Sequence, residues 1–266
     1  MALDSTTIGI VGGAGALGSA IATALLSAGH PQARLIVSAR SGQAPALAGW
    51  PGVAVTADNA ELAARAEVIL LSVPPAAIPD LSLDASGKLV ISVVAGLTLD
   101  RLARITRARA TIRAMSSPAA ARGLAFSPLV PGPSATDIDL ALAEALFAPC
   151  GLTARLTDEA QIDLFTAMTG PVPGFVAFWA ECLSGWAVAR GIPEDVALAA
   201  TRQLFLSAGT ILSEDRSSPA QQVQAMIDYA GTTAAGMEVL RASGTARDVE
   251  AALDAATEKG RTIVPD

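Results

Sequence analysis

A glycine-rich run, IGIVGGAGALG over Ile8–Gly18, decides more about this chain than any other segment. Its glycines from Gly12 on follow a short apolar stretch that reads as a strand, Thr7–Val11, and open a helical pattern, Ala16–Ala28. The spacing Gly13-x-Gly15-x-x-Gly18 in that context is a dinucleotide fingerprint. Gly13 is expected to allow the tight turn, Gly15 to let a pyrophosphate approach the backbone, and Gly18 to let the helix pack closely on the sheet. The free N–H groups of the first helical turn, at Ala16 and Leu17, then face the phosphates with the positive end of the helix dipole.

The rest of the first half supports that context. Leu35–Ser38, Val53–Thr56, Val68–Ser72, Leu89–Val93 and Thr111–Ala114 are short, Val- and Ile-rich runs bounded by turn residues, and read as buried strands. Asn59–Arg65, Leu97–Ile105 and Asp137–Phe147 read as helices, and Ser127–Ser134, with three prolines in eight residues, reads as a loop. Strand–helix alternation of this kind predicts a Rossmann-type, doubly wound parallel sheet. From Asp158 the strand pattern stops and apolar helices follow: Glu159–Met168, Phe175–Ala189, Glu194–Ser213, Ala220–Asp228, Thr233–Ala242 and Ala246–Lys259. The fold class expected is α/β: a nucleotide-binding domain over residues 1–157, then an all-α domain over 158–266.

Phe175–Ala189 is apolar nearly all round, so it must be covered on every side. Charged residues are 16% of the chain, against about a quarter in ordinary soluble domains. Together these predict burial against a second copy through the C-terminal helices, as a homodimer or a higher oligomer. The net charge of −7 and the scattered basic residues disfavour nucleic acid. The most apolar stretch, Leu164–Trp179, is broken by Gly170, Pro171, Pro173 and Gly174, which argues against a membrane span and for a core helix with a kink or a loop inside it. Met1–Thr7 has no basic residue and shows no signal peptide. Cys150 and Cys182 fit neither a zinc spacing nor a redox pair and read as reduced, buried thiols of a cytoplasmic protein. No metal is expected.

The second strand ends at Ser38-Ala39-Arg40-Ser41, and no Asp or Glu lies between Asp4 and Asp58. A site for NAD wants an acid here for the ribose hydroxyls; Arg40 with Ser38 and Ser41 suits a 2′-phosphate, so NADP(H) is the expected cofactor. The chemistry is narrowed by what is scarce. His30 ends the first helix, Lys88 and Lys259 lie at a strand start and near the C-terminus, and Tyr229 is the sole tyrosine. Removing an alcohol proton with His or Lys fits poorly. Reducing a protonated C=N fits better, because the substrate already carries the charge that attracts hydride.

The second half resembles the pyrroline-5-carboxylate reductase family. Thr169-Gly170-Pro171-Val172-Pro173-Gly174-Phe175, followed by Glu181, is similar to that family's T-G-S-G-P-A-Y segment and helical Glu, and Ala230–Gly236 is similar to its G-G-T-T-x-A-G loop. In the first half Asn59, Ser72-Val73-Pro74 and Ser92-Val93-Val94-Ala95-Gly96 match its nucleotide-side motifs. The resemblance implies a Rossmann domain and an interlocking helical dimerisation domain, with NAD(P)H-dependent reduction of a small cyclic imine to L-proline. It implies Asn59, Val73, Pro74, Ala95 and Gly96 as cofactor residues, Ser116, Ser117, Gly231 and Thr232 as substrate residues, and Thr233 as the catalytic residue bonding the substrate nitrogen. On the residues alone, Thr232 and Thr233 read equally well as a helix N-cap, Glu181 as a buried structural acid, and Tyr229 as a packing residue or a proton donor. Three segments depart from the pattern. R-x-M-P-N-T-P stands as the shorter Arg113-Ala114-Met115-Ser116-Ser117-Pro118, S-P-G-G as Asp228–Gly231, and the usual Lys of V-K-P as Pro75. A reductase of a different imine, and a non-catalytic dinucleotide-binding regulator, are the alternatives.

Overall fold

The protein is described by a computed structural model covering residues 3–170 and 172–265, with the side chains of Val172 and Pro173 outside the description. Eight strands form one sheet: β1 Ile8–Val11, β2 Leu35–Ser38, β3 Ala54–Thr56, β4 Val68–Leu71, β5 Leu89–Ser92, β6 Ala110–Ala114, β7 Ala125–Pro131 and β8 Gly151–Arg155. Their order is β3-β2-β1-β4-β5-β6-β7-β8. Every neighbouring pair is parallel except β6 with β7. The chain therefore winds outward in one direction from β1 through β2 and β3, and in the other through β4, β5 and β6.

The side-chain period of two sorts the strand residues onto two cores. Ile8, Ile10, Leu35, Val37 and Leu70 join α1 (Ala16–Ser27) and α4 (Asp137–Phe147) on one face. Val11, Ile36, Ile69, Leu71 and Val90 join α2 (Asn59–Arg65) and α3 (Leu99–Thr106) on the other. Both faces are covered, which is why these strands are continuous apolar runs. Each fully buried Ile or Leu contributes roughly 1.5–3 kcal/mol.

Of the segment expected as a proline-rich loop, Ser127–Pro131 belongs instead to β7, while Gly132–Ser134 form the turn after it. Its prolines are tolerated because of where they stand. Pro128 lies one residue beyond the last β6 pair, Ala114 with Leu129, and Pro131 lies beyond the last β8 pair, Leu129 with Arg155. Neither missing N–H falls inside the span where its ladder is paired.

The chain divides into two compact units, Met1–Gly170 with Leu253–Asp266, and Pro171–Ala252. The division differs from a cut after residue 157. α5 (Ala160–Thr169) belongs with the sheet: Phe165 stacks on Phe126 of β7 at 5.5 Å and Ile162 is fully buried beside Val130. The chain also returns, since Val264 sits in the core with Val11 and Leu71.

The second unit holds α6 (Val172–Val188), α7 (Glu194–Glu214), α8 (Pro219–Asp228) and α9 (Thr232–Ala242). α10 (Thr245–Arg261) starts there and ends in the first unit. α6 runs through Gly174 as a helix, while Pro171, one of the residues expected to break it, lies outside the described residues. α6 packs on α7 and α8 on α9. Large apolar side chains remain open within the chain, among them Phe178, Trp186, Leu206 and Val239 at 58–69% exposure. For that reason Cys182 and Glu181, expected to be buried, are exposed on α6, whereas Cys150 is buried and its thiol is pushed up to about 12 by desolvation. Among the described residues, α7 is the helix long and apolar enough to cross a membrane by length and composition.

Candidate functional site

The sheet changes winding direction at β1 and β4, and a parallel sheet opens a crevice at such a point. A cleft of about 280 Å³ lies there. Three segments line it: the start of α1 at Gly15–Leu17, the turn Ser72–Pro75 after β4, and Val93–Ala95 after β5. None of these lining residues has a titratable side chain.

The glycines shape the α1 side of the cleft. The left-handed turn falls on Gly12, with φ of 83°, rather than on Gly13 as expected. A Cβ on Gly12 would also stand 2.4 Å from the Ser72 carbonyl oxygen. Gly13 instead admits β2, since a Cβ there would meet Val37 at 2.6 Å. Gly18 lets α1 close onto the turn, where a Cβ would lie 2.5 Å from the Gly12 carbonyl oxygen. Gly15 is the N-cap of α1 and no side chain caps the helix, so its first N–H groups are left for a ligand among the described residues. A bare helix start beside a glycine cradle that a Cβ would fill fits a pyrophosphate.

At the end of β2, Ser38 is buried and donates its hydroxyl to Asn59 Oδ1 at 2.7 Å. Arg40 and Ser41 are exposed, and Arg40 has no ion pair among the described residues. Two acids stand at the start of α2: Asp58, its N-cap, whose carboxylate accepts the Ala60 N–H, and Glu61. The Thr56 hydroxyl, with Arg65, holds the Glu61 carboxyl below the usual range. Both acids are thus engaged by their own neighbours, and Arg40 forms no ion pair with either among the described residues.

Of the residues expected to hold the cofactor, Gly15, Ala16, Leu17, Val73, Pro74 and Ala95 line the cleft, and Gly13 and Gly18 stand behind it. Gly96 does not line it. Its φ is 73° and it packs against the C-terminal segment, where a Cβ would stand 2.6 Å from the Gly260 carbonyl oxygen. Ser72, Pro75, Val93 and Val94 line the cleft beyond that set. Gly12 is the turn glycine that the G-x-G-x-x-G pattern passes over, although its neighbour Gly13 is in it.

Ser116 and Ser117 follow β6 and are buried, at 3% and 8% exposure. Ser127 donates to the Ser116 hydroxyl at 2.9 Å. Arg113, three residues earlier, is 2% exposed and paired with Glu159 at 2.8 Å and Asp163 at 2.9 Å. In the helical unit, Gly231 is the N-cap of α9, with Thr232 and Thr233 at its first two positions, so neither threonine is the cap. Gly231 carries no side chain to cap the helix, and the hydroxyls of Thr232 and Thr233 are exposed within the chain. Tyr229, at 86% exposure, ends α8 and lies against the Gly231 backbone.

Comparison with known proteins agrees across both halves. Residues 159–263 match the family described as pyrroline-5-carboxylate reductase dimerisation, and residues 7–96 match NADP oxidoreductase coenzyme F420-dependent. The pyrroline-5-carboxylate reductase of Schizosaccharomyces pombe is 31% identical over 215 residues, covering 77% of this chain and 76% of that protein. The same-named protein of Pisum sativum is 29% identical over 266 residues, covering 98% and 97%. A solved pyrroline-5-carboxylate reductase from Coxiella burnetii superposes with a TM-score of 0.85 at 25% identity, covering 98% of this chain and all of that one.

Proposed function

The chain belongs to the pyrroline-5-carboxylate reductase family, and from that premise we propose that it reduces 1-pyrroline-5-carboxylate to L-proline with NADPH. The observation that carries this reading is the cleft at the winding reversal, bounded by the uncapped start of α1 and free of titratable side chains. When bound there, NADPH supplies the hydride. The chain's residues do the rest. The N–H groups after Gly15 bind the pyrophosphate, Arg40 pairs with the 2′-phosphate, and Asn59 meets the adenosine ribose. The apolar wall of Val73, Pro74 and Ala95 keeps water from the transferring carbon.

We assign substrate binding to Ser116, Ser117, Gly231 and Thr232. The free N–H groups at the start of α9, which no side chain caps, suit the substrate carboxylate. Thr233 holds the imine nitrogen through its hydroxyl and orients the C=N bond for attack. The reaction consumes one hydride on carbon and one proton on nitrogen. With no acid lining the cleft, the proton arrives with the protonated imine or from the Thr233 hydroxyl, which solvent would then reprotonate. The open apolar faces of α6 and α7 support a homodimer through the helical unit, and higher oligomers built from that dimer. The same pairing accounts for the apolar length of α7 without a membrane. The two free cysteines fit a reducing, cytoplasmic compartment.

Pro75 in the cleft wall favours a second reading, an imine other than this one, because a rigid apolar residue stands where the family pattern carries a Lys. One experiment decides. NADPH absorbance is followed with 1-pyrroline-5-carboxylate and with a panel of other cyclic imines. Turnover on the first supports the assignment, turnover only on another imine moves the substrate, and binding of NADPH without turnover on any leaves a regulator.

A further inference from the structure

The turn after β5 that walls the cleft is held from behind by the last residues of the chain. Gly96 takes a φ of 73°, and a Cβ on it would stand 2.6 Å from the Gly260 carbonyl oxygen, 3.2 Å from Ile263 Cγ2 and 3.4 Å from Val264 Cγ2. Val264 is buried in the same cluster as Val94, and Ile263 packs against it. Arg101 of α3 donates to the Pro265 carbonyl oxygen.

A second support converges on the same turn. Arg261 faces one oxygen of Asp163 at 3.7 Å, and Arg113 binds the other at 2.9 Å. Arg113 also binds Glu159, whose oxygen accepts the Leu99 N–H at 2.7 Å, three residues past Gly96. Ala95 packs against the small cluster of Leu99, Met115, Val130 and Ile162. Arg113 is the buried member of the set, so removing one of its carboxylate partners leaves that charge uncompensated, whereas Arg261 is half exposed and adds a longer, solvent-screened contact from the C-terminal segment.

We propose that the Gly260–Val264 segment, tied through Arg261 and Asp163 to Arg113, is the positioning element for the nicotinamide side of the cleft. In a fold of this type the adenosine half lies toward the end of β2 and the pyrophosphate at the helix start. The nicotinamide half then lies toward the ends of β4 and β5, where Val93–Ala95 form the wall. The contacts of the C-terminal segment with Gly96, Arg101 and Asp163 fall on the side of that wall, so the adenosine half is expected to be unaffected. The inference rests on the NADPH reading given above.

The test compares two ligands on the full protein. Calorimetry measures the affinity of NADPH and of adenosine 2′,5′-bisphosphate, which keeps the adenosine half and lacks the nicotinamide. The variants are a chain ending at Thr262 and the milder Val264→Ala, with Val264→Ile as the conservative rescue. The expected result is NADPH weakened on the order of tenfold, the bisphosphate unchanged, and Val264→Ile close to wild type. Parallel loss of both ligands, or loss of neither, overturns the positioning role. A wild-type protein that binds neither ligand overturns the NADPH reading itself, and this proposal with it.

Discussion

The Ser38 hydroxyl donates to the Asn59 side-chain oxygen over 2.7 Å, joining the end of β2 to the first residue of α2. The bond aims the serine proton at the asparagine oxygen and ties this corner together. The charge proposed for the 2′-phosphate is Arg40, which is exposed and has no acid paired to it among the described residues. Losing one charge-assisted bond costs roughly 1.5–3 kcal/mol. Arg40→Asp is therefore expected to weaken NADPH tenfold or more while NADH changes far less, as measured by fluorescence titration. Equal loss for both cofactors would refute the assignment.

Thr233 occupies the second position of α9 behind a glycine cap, so removing its hydroxyl removes no cap. Thr233→Ala is expected to leave the melting temperature near wild type and to cut turnover by about 10- to 1,000-fold, the scale of one orienting bond in a water-poor pocket. Thr233→Ser should keep most activity. Steady-state kinetics and thermal unfolding on the same samples separate this from a structural role, which would lower the melting temperature and spare turnover.

Trp186 is 58% exposed on α6, with the Arg190 guanidinium stacked 4.3 Å from its ring centre. If α6 meets a second copy, Trp186→Glu places a charge in a desolvated contact and costs the dimer roughly 2 kcal/mol or more. Light scattering should then show a concentration-dependent shift toward single chains. An unchanged mass across dilution would exclude α6 from the interface.

Ala230 has a φ of 56°, a left-handed conformation that an L-residue adopts at a cost of about 1–2 kcal/mol. Ala230→Gly relieves that strain and loosens the unfolded chain by about 0.4–1 kcal/mol. The net expectation is a small gain in stability. Ala230→Val, with its branched Cβ, should lose stability instead. Denaturant midpoints for the pair give the sign of each.

Asp139 is buried, caps α4 from its third position with Thr136, and is held bidentately by Arg109 at 2.6 and 3.1 Å. The Arg109 hydrogen bonds are the main reason its carboxyl sits at about 2, below the ordinary 3.8. A depressed carboxylate stabilises the fold above its unfolded value, and that stability is lost as pH falls from about 4 toward about 2. The contribution at neutral pH is about 2 kcal/mol. Asp139→Asn is expected to be less stable at pH 7 by that order and to show a flatter decline in acid, measured by chemical denaturation at several pH values.

Much of the nucleotide half was legible in the sequence because its signals are local. A four-residue apolar strand, a glycine turn and a helix with no capping side chain are all contained in Ile8–Leu17. β7 was not legible, because the prolines that argue against a strand are excused only by where β6 and β8 stop pairing. The ion set of Arg113, Glu159, Asp163 and Arg261 was hidden for the same reason: its members are up to 148 positions apart in number, and nothing local marks them as partners. The contrast between Gly12 and Gly13 turns on a single dihedral angle that residue type leaves open.

The return of residues 253–265 to the first unit bears on how the protein is made. Synthesis runs from the N-terminus, and domains generally fold as they emerge. Here all of residues 171–252 are translated before the strip that backs Gly96 and fills the core beside Val11 and Leu71 exists. Until then the core cluster around Val94 is without the cover that Val264 gives it. With the C-terminal strip positioning the cleft as proposed, cofactor capture is expected only once the chain is complete.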